Sequence, residues 1–309
     1  MAYTDRDDLN YLGQLYLIGA NQTPFLTMIG GLNGGATTNS FNFPIAQPWA
    51  LRTADQATGV KSEATSVSDV TPITYTRAQD FNTCQIMKYP YGVSFAKQST
   101  FGEIAGLAIA GTTPVPTDEM SFQRSAAMKQ MAIDLEFSFL QGTYVAQNTS
   151  ATVAKTRGIT SAITTNTGVG GGAAVTKVMI DALLAKMATS GAPFEDVVIF
   201  VNAFQKQKLT GIYGYAPEDR NVGGVNIKQI ETDFGMVGVQ FDPFVPTDTL
   251  LAIEMSVCKP MFCPVDGSVI KDTEVAVTTA SKGGFVYAQV GLDYGPEEYS
   301  GKLSGLAIA

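Results

Sequence analysis

The sequence predicts an α+β fold organised around one long helix. Three observations carry that expectation. The stretch from Asp118 to Gln141 reads as a single helix. Around it lie short segments with alternating or continuous apolar residues, the pattern of strands. The 31 glycines and 14 prolines among 309 residues leave room for many turns.

Taken in chain order, residues 5–38 give short apolar patches broken by Asn and Gly, including "TPFLTMIGGLNGG", and read as an N-terminal arm (1–39) with brief helical turns. In "NSFNFPIAQPW", Phe41, Phe43 and Ile45 alternate with polar or small residues. A return strand runs through "PITYTRAQDF", where Ile73 and Tyr75 alternate with threonines. Between them, "ALRTADQATGVKSEATSVSDV" (50–70) is polar and small-residued, too poor in apolar surface to order itself. Loops of this length are functional or disordered. Residues 40–86 therefore read as an extended hairpin with a soft polar tip, an arm lying on another molecule. "FNTCQIMKYPYGVSFAKQST" is a strand running into a turn.

The long helix has Thr117 or Asp118 to cap its start, Asp118 and Glu119 at the positive end of its dipole, and Gly142 at its stop. Its 24 residues would span about 36 Å at about 1.5 Å each. Placed at about 100° per residue, Met120, Ala127, Met128, Met131, Leu135 and Phe139 fall on one stripe. Phe122, Ala126, Ile133, Phe137 and Leu140 fall on a roughly opposite one. Gln123, Gln130, Asp134 and Gln141 fill one gap, and Ser125, Lys129 and Glu136 the other. A surface helix needs one apolar stripe, so this helix must be covered twice. The second cover is either another layer of its own chain or a neighbouring copy.

Residues 150–174, rich in Thr, Ala and Gly, read as a connection, and "VTKVMIDALLAKMATSG" as an amphipathic helix with a glycine stop. "DVVIFVN" is a buried strand, and Asn202 caps a short helix, "AFQKQKLTG". "VNIKQIET", "MVGVQFD" and "TLLAIEM" are strands, the first two joined by a tight turn at "TDFGM", giving an α+β domain over 170–265. The tail "DTEVAVTTASKGGFVYAQVGLDYG" reads as a hairpin turning at Gly283-Gly284, and "YSGKLSGLAIA" as a closing strand or edge segment.

Composition removes several functions. A net charge of −8 and a pI near 4.6 oppose direct reading of nucleic acid and a polybasic membrane anchor. The start, "MAYTDRDDLNYLGQLYLIGA", has no export signal, and no segment reaches a membrane-spanning length. Cys84, Cys258 and Cys263 are too few and uneven for a disulfide framework; they read as buried hydrophobes made in a reducing cytoplasm. The absence of histidine removes Ser-His-Asp and Cys-His nucleophile systems and the commonest metal ligand. "GVGGGAAVTK" lacks the Gly-Lys-Ser/Thr ending of a phosphate loop and reads as a linker, and Leu303 spoils "SGKLSG" likewise. Asp-Phe-Gly in "TDFGM" has no His-Arg-Asp partner. "CKPMFC" lacks the second pair a zinc site needs, and no acidic cluster has calcium-loop spacing. No cofactor is expected.

In this order the elements resemble a tailed-phage (Caudoviricetes) major capsid protein with the HK97-like fold. The resemblance rests on "TPFLTMIGG", "FNTCQIMKYPYGVS", "TDEMSFQRSAAMKQMAIDLEFSFLQG", "TRGITSAITTN", "IETDFGMVGVQFDPFVPTDTLLAIE" and "GKLSGLA", from about Thr23 to the end. It implies a peripheral domain (87–169 and 266–309) carrying the spine helix 118–141, and an axial domain (170–265). It also implies a structural role, not an enzyme: hexamers and pentamers forming an icosahedral virion shell around double-stranded DNA, bound without sequence specificity and assembled in the host bacterial cytoplasm. The hairpin would overlap a neighbour, the arm would cross another, and the spine would lie near hairpin or arm on its second side.

The expected interface residues are Trp49, Arg52, Lys61, Glu63, Tyr75 and Arg77 on the hairpin, and Phe122, Lys129, Ile133 and Phe137 on the helix. The axial loop "YGYAPEDRNVGG" adds Tyr213, Tyr215, Glu218, Asp219 and Arg220. Gly168 to Gly172 would act as a joint between hexamer and pentamer shapes. No long cleavable scaffolding segment precedes the arm, so a separate scaffolding protein or none is implied, with portal and decoration proteins as further partners. The rivals are an encapsulin-like compartment, a hydrolase using paired carboxylates in a concave pocket, and a nearly all-β tail tube.

Overall fold

The computed structural model describes residues 22–32, 34–45, 49, 51, 53–56, 59–68, 72, 74–75, 77, 79–95, 119–213, 228–275 and 280–308. Its first sheet is built on the strongest period-two segment of the chain. In β12 (Ser281–Asp293), Val286, Ala288, Val290 and Leu292 are buried while Phe285, Tyr287 and Gln289 are only half-buried. β4 (Gln85–Ser94) runs antiparallel along one side of β12, from Gln85 opposite Val290 to Ser94 opposite Ser281. On the other side lie β11 (Ile270–Val275) and β10 (Lys259–Phe262), both antiparallel to β12. The short β1 (Ala36–Thr37) extends the sheet in parallel beyond β10.

The tail hairpin expected from sequence is present as β11 and β12, but it does not turn at Gly283-Gly284. Those glycines lie inside β12, opposite Val275 and Glu274. A Cβ on Gly284 would come within 2.7 Å of Thr273 O and Tyr91 OH, so a close approach, not a turn, selects glycine here.

The long helix α3 (Glu119–Gln141) lies across β4 and β12. Two short helices pack against it: α1 (Pro24–Met28), with Pro24 opening the first turn, and α4 (Ile159–Ala162). Phe25, Leu26, Met131, Leu135, Phe139, Leu140, Ile159, Val286 and Val290 belong to one core between helix and sheet. The hairpin leaves this body through β2 (Asn42–Pro44) and β3 (Phe81–Thr83), paired antiparallel. Farther out, Trp49 and Arg77 form an isolated bridge. Beyond the bridge, the tip holds one helical turn, α2 (Glu63–Ser66), closed by a Ser62–Thr65 capping box. Sequence reasoning saw no internal structure there.

The second sheet has the order β5 (Thr167–Val169), β13 (Gly301–Ser304), β9 (Leu250–Glu254), β6 (Val197–Val201), β8 (Gly235–Phe241), β7 (Gln229–Thr232). Every residue of the two central strands, β6 and β9, is buried, as the apolar runs Val197–Val201 and Leu250–Ile253 require. The expected turn at Asp233-Phe234 joins β7 to β8, with Gly235 at φ 134°. Two helices complete the second core: α5 (Lys177–Thr189), whose Thr176 side chain caps Met179 N, and α6 (Ala203–Tyr213), where Asn202 Oδ1 accepts from Gln205 N at 2.9 Å.

One expectation is corrected in this region: residues 150–174 are not merely a connection, since α4 and β5 form within them. Of the two alternatives for the C-terminal segment the strand is found: β13 sits inside the second sheet, between β5 and β9. The glycine run is held by the same pairing: Gly170 N and Gly172 N donate to Ser304 O and Gly305 O, each at 2.7 Å. Gly171 and Gly172 take positive φ values of 59° and 78°, which only glycine adopts cheaply. The run is a clasp on the C-terminal strand.

Candidate assembly surfaces

The long helix shows how its two apolar stripes are used. On the first, Met131, Leu135 and Phe139 are fully buried and face the sheet. The second divides along its length. Leu140, near the C-terminal end where α1 and α4 pack, is fully buried within its own chain. Phe122 and Phe137 remain 38% and 49% exposed, Ala126 is exposed and Ile133 is half-buried. Met128, expected in the covered stripe, lies at its margin and is exposed, as is Lys129. Among the described residues, the first stripe is fully covered from Met131 to Phe139, and the second only at its C-terminal end.

Polar side chains fix the helix in this pose. Tyr89 OH donates to Asp134 Oδ2 at 2.5 Å and Gln130 Nε2 to Asp134 Oδ1 at 2.8 Å. Burial first, then Asp134, raises the Tyr89 phenol, which therefore stays a donor. Arg124 pairs with Asp272, which also accepts from Tyr91 OH at 2.5 Å. At the other end Gln141 Nε2 donates to Phe244 O.

The hairpin also carries exposed apolar side chains. Trp49 is 58% exposed and Tyr75 48%, and Leu51, Val60 and Val67 are exposed too. Lys61, Glu63 and Arg77 are also exposed. Arg52 lies outside the described residues, as do Tyr215, Glu218, Asp219 and Arg220 of the axial loop. Tyr213, the last residue of α6, is half-buried; burial first, then Asp181, raises its phenol. Near the β7–β8 turn, sequence reasoning missed a stacked pair. Phe194 and Phe234 lie 5.5 Å apart with Phe194 at φ 55°, and Met236 beside them is exposed. Only the turn residue Gly191 ahead of "APF" hinted at an irregular backbone there.

At the root of the hairpin is a cavity of about 570 Å³, lined in part by Asp80, Tyr144, Arg157, Tyr294 and Glu297. Asp80 Oδ2 accepts from Arg157 Nη1 at 2.8 Å and from Tyr294 OH at 2.9 Å, and the guanidinium lies 4.6 Å from the Tyr144 ring. Asn82, fully buried, donates to Leu292 O and accepts from Arg157 N, both at 2.7 Å. On the far wall Glu297 accepts from the amides and hydroxyls of Thr164 and Thr165. Burial pushes the Glu297 carboxyl up, but these four donors outweigh it and hold it below the ordinary range. These polar groups are occupied in bracing the hairpin root.

Paired carboxylates of the kind a hydrolase would use occur elsewhere. Glu136 and Asp242 are adjacent and both raised, chiefly by burial, yet both are fully buried and line no open cleft. Burial first, then Cys263, pushes the Cys84 thiol up to about 12, which suits an inert core residue. Among the described residues no cluster of Cys, Asp and Glu is arranged to hold a metal ion, and no helix is long and apolar enough to cross a membrane.

The comparisons with known proteins agree with this architecture. The family model described as SU10 major capsid protein matches residues 2–307. No curated protein matches the chain. Among solved structures, the SrpI encapsulin complex from Synechococcus elongatus is similar with a TM-score of 0.60 at 10% identity, covering 100% of this chain and 98% of that one. The capsid of cyanophage P-SCSP1u gives 0.59 at 11% identity over 97% and 93%. Mycobacterium phage Che8 gives 0.58 at 11% over 98% of each. The likeness is one of fold, the HK97 fold that phage capsids share with encapsulins.

Proposed function

The chain belongs to the SU10 major capsid protein family, and from that premise we propose that its copies close as hexamers and pentamers into an icosahedral shell around double-stranded phage DNA. One observation carries this finer reading. Phe122 and Phe137 on the helix, and Trp49 and Tyr75 on the hairpin, are left exposed by the chain's own fold. Apolar surface of this kind marks contacts with other molecules. The hairpin of one copy, reaching out from its braced root, overlaps a neighbour, and the second helical stripe is covered by neighbouring chain. The second sheet belongs, on this reading, to the part of the subunit that gathers around the centre of each ring.

A subunit held by several such contacts gains avidity that no single interface supplies. The net charge of −8 keeps packaged DNA from adhering to the wall. Assembly in the host cytoplasm suits three free cysteines. A separate scaffolding protein, a portal and decoration proteins fit as partners.

The test is electron microscopy of the purified protein, alone and with the products of its neighbouring genes. Closed shells with five-fold and six-fold clusters are expected, filled with DNA in the complete particle. Shells filled with protein cargo would favour an encapsulin-like compartment instead. A monodisperse monomer at high concentration, under all of these conditions, would overturn the proposal.

A further inference from the structure

Glu136 is fully buried in the C-terminal third of the long helix, and among the described residues no cation acts on it. Its Oε1 accepts the Phe25 amide at 2.8 Å and its Oε2 the Leu26 amide at 2.7 Å, tying the first turn of α1 to α3. Asp242, immediately after β8, is also fully buried. Its Oδ1 accepts the Phe244 amide at 2.8 Å, whereas its Oδ2 meets no donor among the described residues. A buried acceptor left unsatisfied costs about 1–3 kcal/mol, and two adjacent carboxylates in an apolar setting cannot both stay ionised. One proton between them supplies the missing donor and removes the like-charge repulsion.

We propose that Glu136 and Asp242 share a single proton, and that this proton makes the attachment of the N-terminal segment at Phe25–Leu26 depend on pH. α1, β6 and residues 243–246 contain no ionisable side chain, and Asp242 is the one charged group among the described residues that acts on Glu136. Burial first, then Asp242, pushes Glu136 up to about 9 against the pull of the two amides. The pair titrates as a unit.

Because the folded pair keeps a proton that an unfolded glutamate releases near its ordinary value, attachment is strongest in acid. It weakens as pH rises from that value toward about 9. Once both groups are ionised, α1 lifts and uncovers Phe25 and the Phe200 ring that it meets edge-on at 5.5 Å.

The test uses the full-length protein with two readouts across pH 6 to 10: the infrared carbonyl band of a protonated carboxylic acid, and hydrogen-exchange protection of the Phe25 and Leu26 amides, corrected for intrinsic exchange. The wild type is expected to show the acid band near neutral pH. It should lose the band at high pH together with protection, by up to about tenfold per pH unit. Asp242→Asn removes the partner carboxylate but not the burial, so it should move the loss of the band and of protection to lower pH, and Glu136→Gln should flatten the pH dependence of protection. Should a variant fail to fold, the wild-type titration decides alone. Absence of the acid band in the wild type at neutral pH, or loss of band and protection at an unmoved pH in Asp242→Asn, would overturn the proposal.

Discussion

Asp80 Oδ2 lies 2.8 Å from Arg157 Nη1, so the point where the hairpin returns to the body is bonded to the segment that follows the long helix. Asp80 also takes the Phe81 amide on Oδ1 and the Ile45 amide on its carbonyl, both at 2.9 Å, so one residue serves both strands of the hairpin. Asp80→Ala should cost only about 0.5–1 kcal/mol in global stability, because Asp80 is half exposed. The larger effect should be local. Limited proteolysis within residues 50–70 should accelerate, while cleavage in the second sheet stays unchanged. Equal acceleration at both places would mean that Asp80 supports the whole fold and not the hairpin root.

The two stripes of the long helix should respond differently to substitution. Phe139→Ala removes a fully buried ring and should cost about 3–5 kcal/mol in denaturant unfolding. Phe137→Ser, two residues earlier and half exposed, should change the stability of the isolated subunit by less than about 0.5 kcal/mol. It should nevertheless lower the yield of shells in sedimentation. A Phe137→Ser protein that assembles like the wild type would remove this stripe from the set of contacts.

Glu297 gives the protein an acid-sensitive joint. Its carboxyl is held below the ordinary range by four donors, so its contribution to stability is present above the unfolded value and is lost as pH falls through the folded one. Thermal unfolding followed from pH 7 to pH 3 should show wild type and Glu297→Gln converging in acid, with the wild type more stable at neutral pH. Parallel curves at every pH would show that the charge of Glu297 is not what holds Thr164 and Thr165.

Much of the fold was legible because it rests on periodicity. The helix from Glu119, the buried runs in β6 and β9, the Asn202 cap and the turn at Asp233-Phe234 all follow from residue spacing. What escaped depends on contacts distant in sequence. Gly283-Gly284 has the composition of a turn, and only the presence of Tyr91 and Thr273 across the sheet shows why glycine stands inside a strand. The C-terminal segment reads equally as a strand or an edge segment because its partners, Thr167–Val169 and Leu250–Ala252, are short or far away.

Phe122, Phe137, Trp49 and Tyr75, singled out from an unmatched stripe and a polar hairpin, are exposed. Their engagement with other copies remains a proposal. The polar braces were not readable. Glu136 looked like one more residue in a polar gap, and nothing local connects it to Phe25 or Asp242.

The placement of β13 has a consequence for synthesis. Gly168, in β5, and Ser304, whose side chain reaches its carbonyl, stand 136 residues apart. At about 5–20 residues per second, a ribosome needs on the order of ten seconds to make the second after the first. Throughout that interval the nascent β5 has an unpaired margin open to misjoining, and β9 joins it in that state once residues 250–254 are made. The second sheet is therefore completed only when the last residues of the chain have been made.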